Sequence, residues 1–477
     1  MQFFGDRPQV ELAGPINWEQ HSRFEASLRK AHASSGGSCG ALADASYWTR
    51  QQHARESLPP AFLDVVAGVA GPLLTSYTVW ALLAAQARGL RRLYFLSREG
   101  DVLFELATIL APRLELAIEL RQLYVSRPAI NVALLSDFRR ADLAWALTHT
   151  GSMSLASILE RVCLQASEVQ DHLEGIGLGR DRWNTRITDD EFSALVDLLA
   201  SLSHAGVGQL IKERSRQRRE RVARYLASAG VFDDVKVGLV DTAGTGSQVR
   251  TVHRLRQELT AEGTEGFLVR RMWRPHLDEQ GFPPIHSYLS DHCTGTGFRD
   301  MDGMNHMLEI FTVTDYGTVI GYADNDGEVV PVFQEPVPER SEMWTSDYMR
   351  RPLMTFAQTL SLTSWNIRNA KAPCSGIMEA FRQFWYDPTE AEANYWGQFP
   401  YEVGAGDCFR CLELAPQLGL REMIALKRGR RVEKVIVNPW YAGISKRASL
   451  YVAGSIAALR HIRRASRALR RVVRRFA

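Results

Sequence analysis

Acidic residues run out before this chain does. None follows Glu433, while Lys446, Arg447, Arg460, Arg463, Arg464, Arg467, Arg470, Arg471, Arg474 and Arg475 crowd the end. The formal charge of +3 therefore hides a mildly acidic body and a strongly basic tail. Cysteine is scarce as well, six scattered over 477 residues, which excludes a disulfide framework and predicts a reducing, cytoplasmic setting. Cys408 and Cys411 form one C-x-x-C with no second pair and no His-x-His beside it, so a four-ligand zinc site is not expected. The opening Met1-Gln2-Phe3-Phe4-Gly5-Asp6 lacks the basic and apolar regions of a secretory signal. No internal repeat is visible. The basic residues come without aromatic interleaving or a recognised motif, which argues against a nucleic-acid partner.

Charge is also missing from Val65 to Ala87, a stretch long enough to cross a bilayer. Gly71-Pro72 interrupts it, and Thr75, Ser76, Tyr77 and Gln86 lower its apolarity. Proline suits a first helical position, so a fresh helix is predicted from about residue 72 to a stop at Gly89, buried rather than membrane-spanning.

What is present is an alternation of strands and helices. Residues 1–60 read as a polar extension with a loop at Ser34-Ser35-Gly36-Gly37-Ser38. Beyond them, Leu93-Tyr94-Phe95-Leu96, Leu123-Tyr124-Val125, Val235 to Val240 and Gly266-Phe267-Leu268-Val269 are short apolar runs of buried-strand type. Helical spacing separates them, and Thr188 to Glu191 is a capping box. The pattern predicts an α/β fold, a doubly wound, Rossmann-like parallel sheet over 61–283 with a helical insertion at 136–229. A hairpin-containing segment at 284–340, a Trp-rich helical region at 341–455 and a basic amphipathic helix at 456–477 follow, as a C-terminal α+β region.

In open α/β sheets ligands bind beyond the carboxyl ends of the strands, where the strand order reverses. Three expected strands end in polar turns: Ser97-Arg98-Glu99-Gly100-Asp101, Ser126-Arg127-Pro128, and Asp241 through Gln248. In the last, Gly244 and Gly246 permit a tight turn and close approach of main chain to a ligand. A helix starting near Ser247 would point its free N–H groups into the loop, and Thr245 and Ser247 add hydroxyl donors. Asp241 is placed to hold a metal ion or to accept from a sugar hydroxyl. Arg98 and Arg127 suit recognition of phosphate or carboxylate, or they pair at the surface with Glu99, Asp101 or Asp137. The three turns together predict a crevice for a phosphorylated sugar or nucleotide-sugar, with Asp241, Arg98 and Asp101 as candidate catalytic residues. The phosphate would lie on Gly244, Thr245, Gly246, Ser247, Ser97, Ser126 and Arg127.

Other clusters read more plainly. Asp300, Asp302, Asn305, His306 and Glu309 look like an exposed acidic helix start, although His306 and Glu309 would share a helix face. Asp324-Asn325-Asp326-Gly327 suits a type I′ hairpin turn better than a calcium loop. In the tail, Leu459, Ile462, Leu469, Val472, Val473 and Phe476 form one stripe among arginines. That is the pattern of a helix lying on an anionic membrane surface.

Gly71-Pro72-Leu73-Leu74, Leu93 to Gly100, Tyr124-Val125-Ser126-Arg127, Val240 to Gln248, Leu308-Glu309 and Gly317 to Pro331 occur here in order. Together, over roughly residues 61–335, they resemble the C-terminal part of a bacterial family of hydrolases of the haloacid dehalogenase (HAD) superfamily, common among surface-polysaccharide genes. The resemblance implies phosphate-ester chemistry with Mg²⁺ as cofactor. HAD hydrolases carry a nucleophilic Asp-x-Asp turn directly after a buried strand; residues 1–60 contain none, and neither Asp300-x-Asp302 nor Asp324-x-Asp326 follows a buried strand. The order of strand, Arg/Gly loop and later Asp241…Thr245-Gly246-Ser247 is also similar to type I phosphoribosyltransferases, with one acidic residue where that motif has two. A third expectation is a non-catalytic partner in a membrane-associated glycan-assembly complex.

Overall fold

The apolar runs assemble side by side. In the computed structural model, β1 (Arg92–Leu96), β2 (Glu119–Leu123), β3 (Val237–Gly244), β4 (Thr264–Arg271) and β5 (Ile285–Ser287) form one sheet in the order β2-β1-β3-β4-β5. Every neighbouring pair is parallel. The structure describes residues 21–448 except 57, 136–139, 148–152, 205, 259, 261–262, 273–281, 290–301, 336–343, 404–409 and 437–438. Asp137, Asp300, Cys408 and the basic stretch 456–477 therefore lie outside the described residues. Leu93 and Phe95 enter one apolar cluster, while Tyr94 and Leu96 enter another on the opposite face. Both faces are covered, as in a doubly wound α/β fold.

The first helices differ from expectation. α1 (Arg23–Lys30), opened by a Ser22/Glu25 capping box, and α2 (Ser38–His53) occupy much of the supposed polar extension. Phe24, Leu28, Cys39 and Leu42 belong to the main core. Small polar residues disguised them: Ser38 and Thr49 are also buried, each donating to a carbonyl (Ser35 at 2.8 Å, Ala45 at 2.7 Å), so their hydroxyls enter the interior satisfied.

α3 (Pro60–Val65) and α4 (Gly71–Ala87) are joined by a π turn at Val66–Ala70, giving one continuous helix from Pro60 to Ala87. Pro72 thus does not start a fresh helix; the wider turn ahead of it accommodates the proline ring. The helix is long and apolar enough to cross a membrane, but its apolar window is wholly buried within the protein. It packs against α5 (Gly100–Arg113), which follows β1.

Between β2 and β3 stand α6 (Arg127–Ile130), α7 (Arg140–Leu147), α8 (Leu155–Glu160), α9 (Gln170–Gly175), α10 (Asp189–Ser201) and α11 (Gly206–Ser228). Leu143, Ile158, Leu195, Leu199 and Ile211 give this block an apolar cluster of its own, and Thr188 caps α10 through the expected box. α12 (Ser247–Gln257) follows β3, and α13 (Asp302–Phe311) follows β5. The hairpin β6 (Val319–Asn325) and β7 (Glu328–Phe333) turns at Asp326 and Gly327, both with positive φ, and rests on α11. Asp324 pairs with Arg221 and Arg224. The Trp-rich region contributes α14 (Ser346–Thr359), α15 (Cys374–Tyr386), α16 (Glu390–Trp396) and a hairpin of β8 (Pro400–Val403) and β9 (Arg410–Glu413). Its Trp344, Trp385, Trp396 and Trp440 enter the same core as α1–α5.

Candidate functional site

From β1 the chain steps to β2 on one side, then returns to place β3 on the other. The strand order reverses between β1 and β3, so the loops leaving their carboxyl ends flank one crevice. Those loops are the Ser97–Gly100 and Asp241–Gly246 turns. The ladder between β1 and β3 ends at Phe95 opposite Val240, while β3 continues along β4 to Gly244. Asp241 is therefore inside a strand that overhangs its neighbour.

The overhang ends in a glycine turn. Gly244 has φ of 142° and Gly246 of 79°, and Gly246 is the N-cap of α12 with no side chain capping the helix. The first N–H groups of this helix, together with its dipole, form an anion-binding end. A Cβ on Gly246 would come 2.7 Å from the Ile285 Cδ1, whereas the space around Gly244 is open. Ser247 is buried and Thr245 half-buried beside it.

Asp241 is 7% exposed. Its carbonyl accepts from the Tyr77 hydroxyl at 2.7 Å, and its Oδ1 accepts from the Thr242 N–H at 2.8 Å. Burial first, then the nearby charge of Glu99, pushes its carboxyl up to about 7, against the opposing pull of the Thr242 N–H and Arg127. A buried acid beside another acid is costly to ionise, and such groups gather at functional sites.

Arg127 opens α6 and acts electrostatically on Asp241 and on Arg161. Arg161, at the end of α8, is 8% exposed; burial and then Arg127 lower its pKa to about 9. Thus the helical insertion brings a second guanidinium near the crevice. Sequence reasoning missed Arg161, because no strand end or glycine marks its position.

Two hydroxyls expected on phosphate serve the frame instead. Ser97 Oγ lies 3.2 Å from both the carbonyl and the N–H of Val125, prolonging the β1–β2 ladder. Ser126 Oγ caps α6 by accepting from the Ala129 N–H at 3.2 Å and donates to the Val319 carbonyl of the hairpin. Asp101, 4% exposed, accepts from the Tyr316 hydroxyl and stands 4.0 Å from Arg350, tying α5 to α14.

Arg98, after a cis Ser97–Arg98 peptide, pairs with Glu402 of β8 at 2.6 Å. With Glu99, Glu309, Phe399 and Tyr401 it lines a small recess. The Tyr401 hydroxyl donates to Glu309 and lies 2.7 Å from His306 Nδ1. His306 and Glu309 do share a face of α13, and both engage Tyr401. Glu309 is accessible from the recess yet ringed by protein. Burial therefore raises its carboxyl to about 7, with Tyr401 and Arg98 pulling down and Glu99 and Glu402 pushing up. The Arg98–Glu99 loop leaves the carboxyl end of β1, beside β3, and also lines the recess.

Among the described residues no group of three or more His, Cys, Asp or Glu is arranged to hold a metal ion. Mg²⁺ needs fewer: one or two carboxylates, with water and substrate phosphate completing its shell. Glu99 is the acidic group that acts on Asp241 at the crevice. Compared with models of protein families the chain matches none, and no curated protein matches it.

Proposed function

We propose that this chain binds a phosphate ester, a phosphorylated sugar or nucleotide-sugar, in the crevice between β1 and β3. On that ester it acts as a HAD-like hydrolase or phosphotransfer enzyme of bacterial surface-polysaccharide synthesis, in the cytoplasm. One observation carries the binding reading: the uncapped start of α12, Arg127 and the buried Asp241 meet where the strand order reverses. The setting and the class of reaction rest on the ordered motifs between residues 61 and 335.

Each group has a role that follows from its chemistry. The N–H groups at the start of α12, with the Thr245 and Ser247 hydroxyls, receive the phosphate oxygens. Arg127 offsets their charge, with Arg161 behind it. Asp241 and Glu99 would hold Mg²⁺, which when bound neutralises phosphate charge and polarises the ester. Without the ion, Asp241 accepts from a ligand hydroxyl as readily as it accepts from the Thr242 N–H. Burial of the crevice floor strengthens all of these interactions by excluding water.

A ligand screen tests the proposal. Thermal shift and calorimetry on the full chain, with and without Mg²⁺, would use inorganic phosphate, glucose 1-phosphate, UDP-glucose and phosphoribosyl pyrophosphate. Stabilisation by a phosphate ester, weakened about tenfold or more in Arg127→Ala and in Asp241→Ala, is the expected result. Stabilisation by phosphoribosyl pyrophosphate alone would transfer the site to phosphoribosyltransferase chemistry. No shift with any of them would overturn the proposal.

A further inference from the structure

We infer that residues 456–477 dock the protein on an anionic lipid bilayer, as a helix lying along its surface with the apolar side down. Docking of this kind is independent of what the crevice binds. Its first support is the spacing of the sequence. At about 100° per residue, all eight arginines from Arg460 to Arg475 fall within one arc of about 140°. Leu459, Ile462, Leu469, Val472, Val473 and Phe476 fill an arc of about the same width on the other side. A helix divided in this way buries its apolar side among acyl chains while its arginines reach the lipid phosphates. A nucleic acid would use only the arginines and leave the apolar arc in water. The division therefore favours a bilayer.

The second support is charge. Residues 427–477 hold fifteen of the 57 Lys and Arg but one of the 54 Asp and Glu, so the remaining residues carry net negative charge. An anionic surface attracts this region and repels the body, which orients the protein as it docks.

The third support is the folded surface that precedes the basic stretch. Lys427, Arg428, Arg430 and Arg431, where α17 (Leu420–Lys427) ends, are all exposed, and so is Lys434 beyond them. Trp440, just before α18 (Tyr441–Lys446), stacks on Trp385 at 5.4 Å and donates to its carbonyl at 2.6 Å. Lys446 stands 4.0 Å from Asp387. These contacts bring Tyr386 and Tyr441, 46% and 54% exposed, to one corner of the molecule. Tyrosine, apolar in its ring and polar at its tip, suits the headgroup level of a bilayer. Arg447, buried and 2.8 Å from Glu413, fastens the chain to the body at the same corner.

The test is sedimentation of the full chain with vesicles of phosphatidylcholine, alone or with about 30% phosphatidylglycerol, in low salt and in about 0.5 M salt. The anionic vesicles should bind about tenfold or more tightly than the neutral ones, with weaker binding in high salt and a gain in helical circular dichroism on binding. Ile462→Ser, Leu469→Ser and Val473→Ser together keep every charge, yet should lower the affinity about tenfold or more. Deletion of 456–477 should abolish binding, and Tyr441→Ser should weaken it about twofold or more. An unchanged Tm would show that the body of each variant is folded. Undiminished binding by the serine variant or by the deletion would overturn the inference. So would tighter binding to a single-stranded RNA than to the vesicles, or self-association of the chain with no binding to vesicles.

Discussion

Asp241 should make the protein less stable as pH rises, and Asp241→Asn should remove this dependence. In the folded chain its carboxyl is held at about 7, chiefly by burial and then by Glu99, whereas in the unfolded chain it titrates near 3.8. Between those values the native state keeps a proton that the unfolded state has released. Stability contributed by this group therefore falls from about pH 4 to about pH 7 and is flat above. The full cost of ionising it is at most roughly 4 kcal/mol, taking 1.36 kcal/mol for each pH unit between the two values. Asparagine keeps an acceptor for the Thr242 N–H and removes the charge. Unfolding in phosphate-free, Mg²⁺-free buffer should show the variant more stable than wild type at pH 8, by up to that amount. The gain should shrink at pH 5. For a chain of this size it corresponds to a rise in Tm of about 1–4 °C. The same variant should lose phosphate-ester binding, as expected where a destabilising group is kept for function. A variant less stable than wild type at pH 8, or equally shifted at pH 5 and pH 8, would refute the account of Asp241.

Three further outcomes follow from buried contacts. Asp142→Asn removes the carboxylate that pairs with Arg250 and Arg254, both partners of the Arg250 ion pair being no more than 3% exposed. Denaturant unfolding should show a loss of about 3–5 kcal/mol, and because the pair joins α7 to α12, phosphate affinity should fall too. Arg256→Ala withdraws a fully buried guanidinium from the carbonyls of Val231, Asp233 and Val235, so chemical denaturation should register a loss of roughly 3 kcal/mol. Gly246→Ala places a methyl group against Ile285 in a left-handed backbone. It should cost about 1–3 kcal/mol and displace the start of α12, abolishing the thermal shift with phosphate.

The sheet was legible where strands are buried on both faces and obscure where they are not. Leu93 to Leu96 and Gly266 to Val269 read directly because every residue is apolar or small. β2 did not: Glu119, Leu120, Arg121 and Gln122 lie at the sheet edge, partly exposed, and charged edge strands look like loops. The sequence therefore placed that strand at Leu123 to Val125, at the end of the true one. β3 was expected to stop at Val240 because Asp241-Thr242-Ala243-Gly244 resembles a turn. Pairing with β4 carries it on to Gly244.

The candidate site divides in the same way. Asp241, Gly244, Gly246 and Arg127 could be picked out because glycine turns and strand ends have local signatures. Ser97 and Ser126 could not be assigned from type alone, since a strand-end hydroxyl serves a backbone as well as a phosphate. Glu309 and Tyr401 are 92 positions apart, and Arg161 arrives on a helix of the insertion. Only tertiary packing joins Glu309 and Tyr401 to the loop at Arg98, and Arg161 to Arg127.

Hydrogen–deuterium exchange with and without saturating sugar phosphate and Mg²⁺ tests the central claim most directly. The account predicts slowed exchange confined to peptides covering residues 96–101, 127–130 and 241–250. Protection elsewhere with none at 241–250, or none anywhere, would contradict a ligand site between β1 and β3.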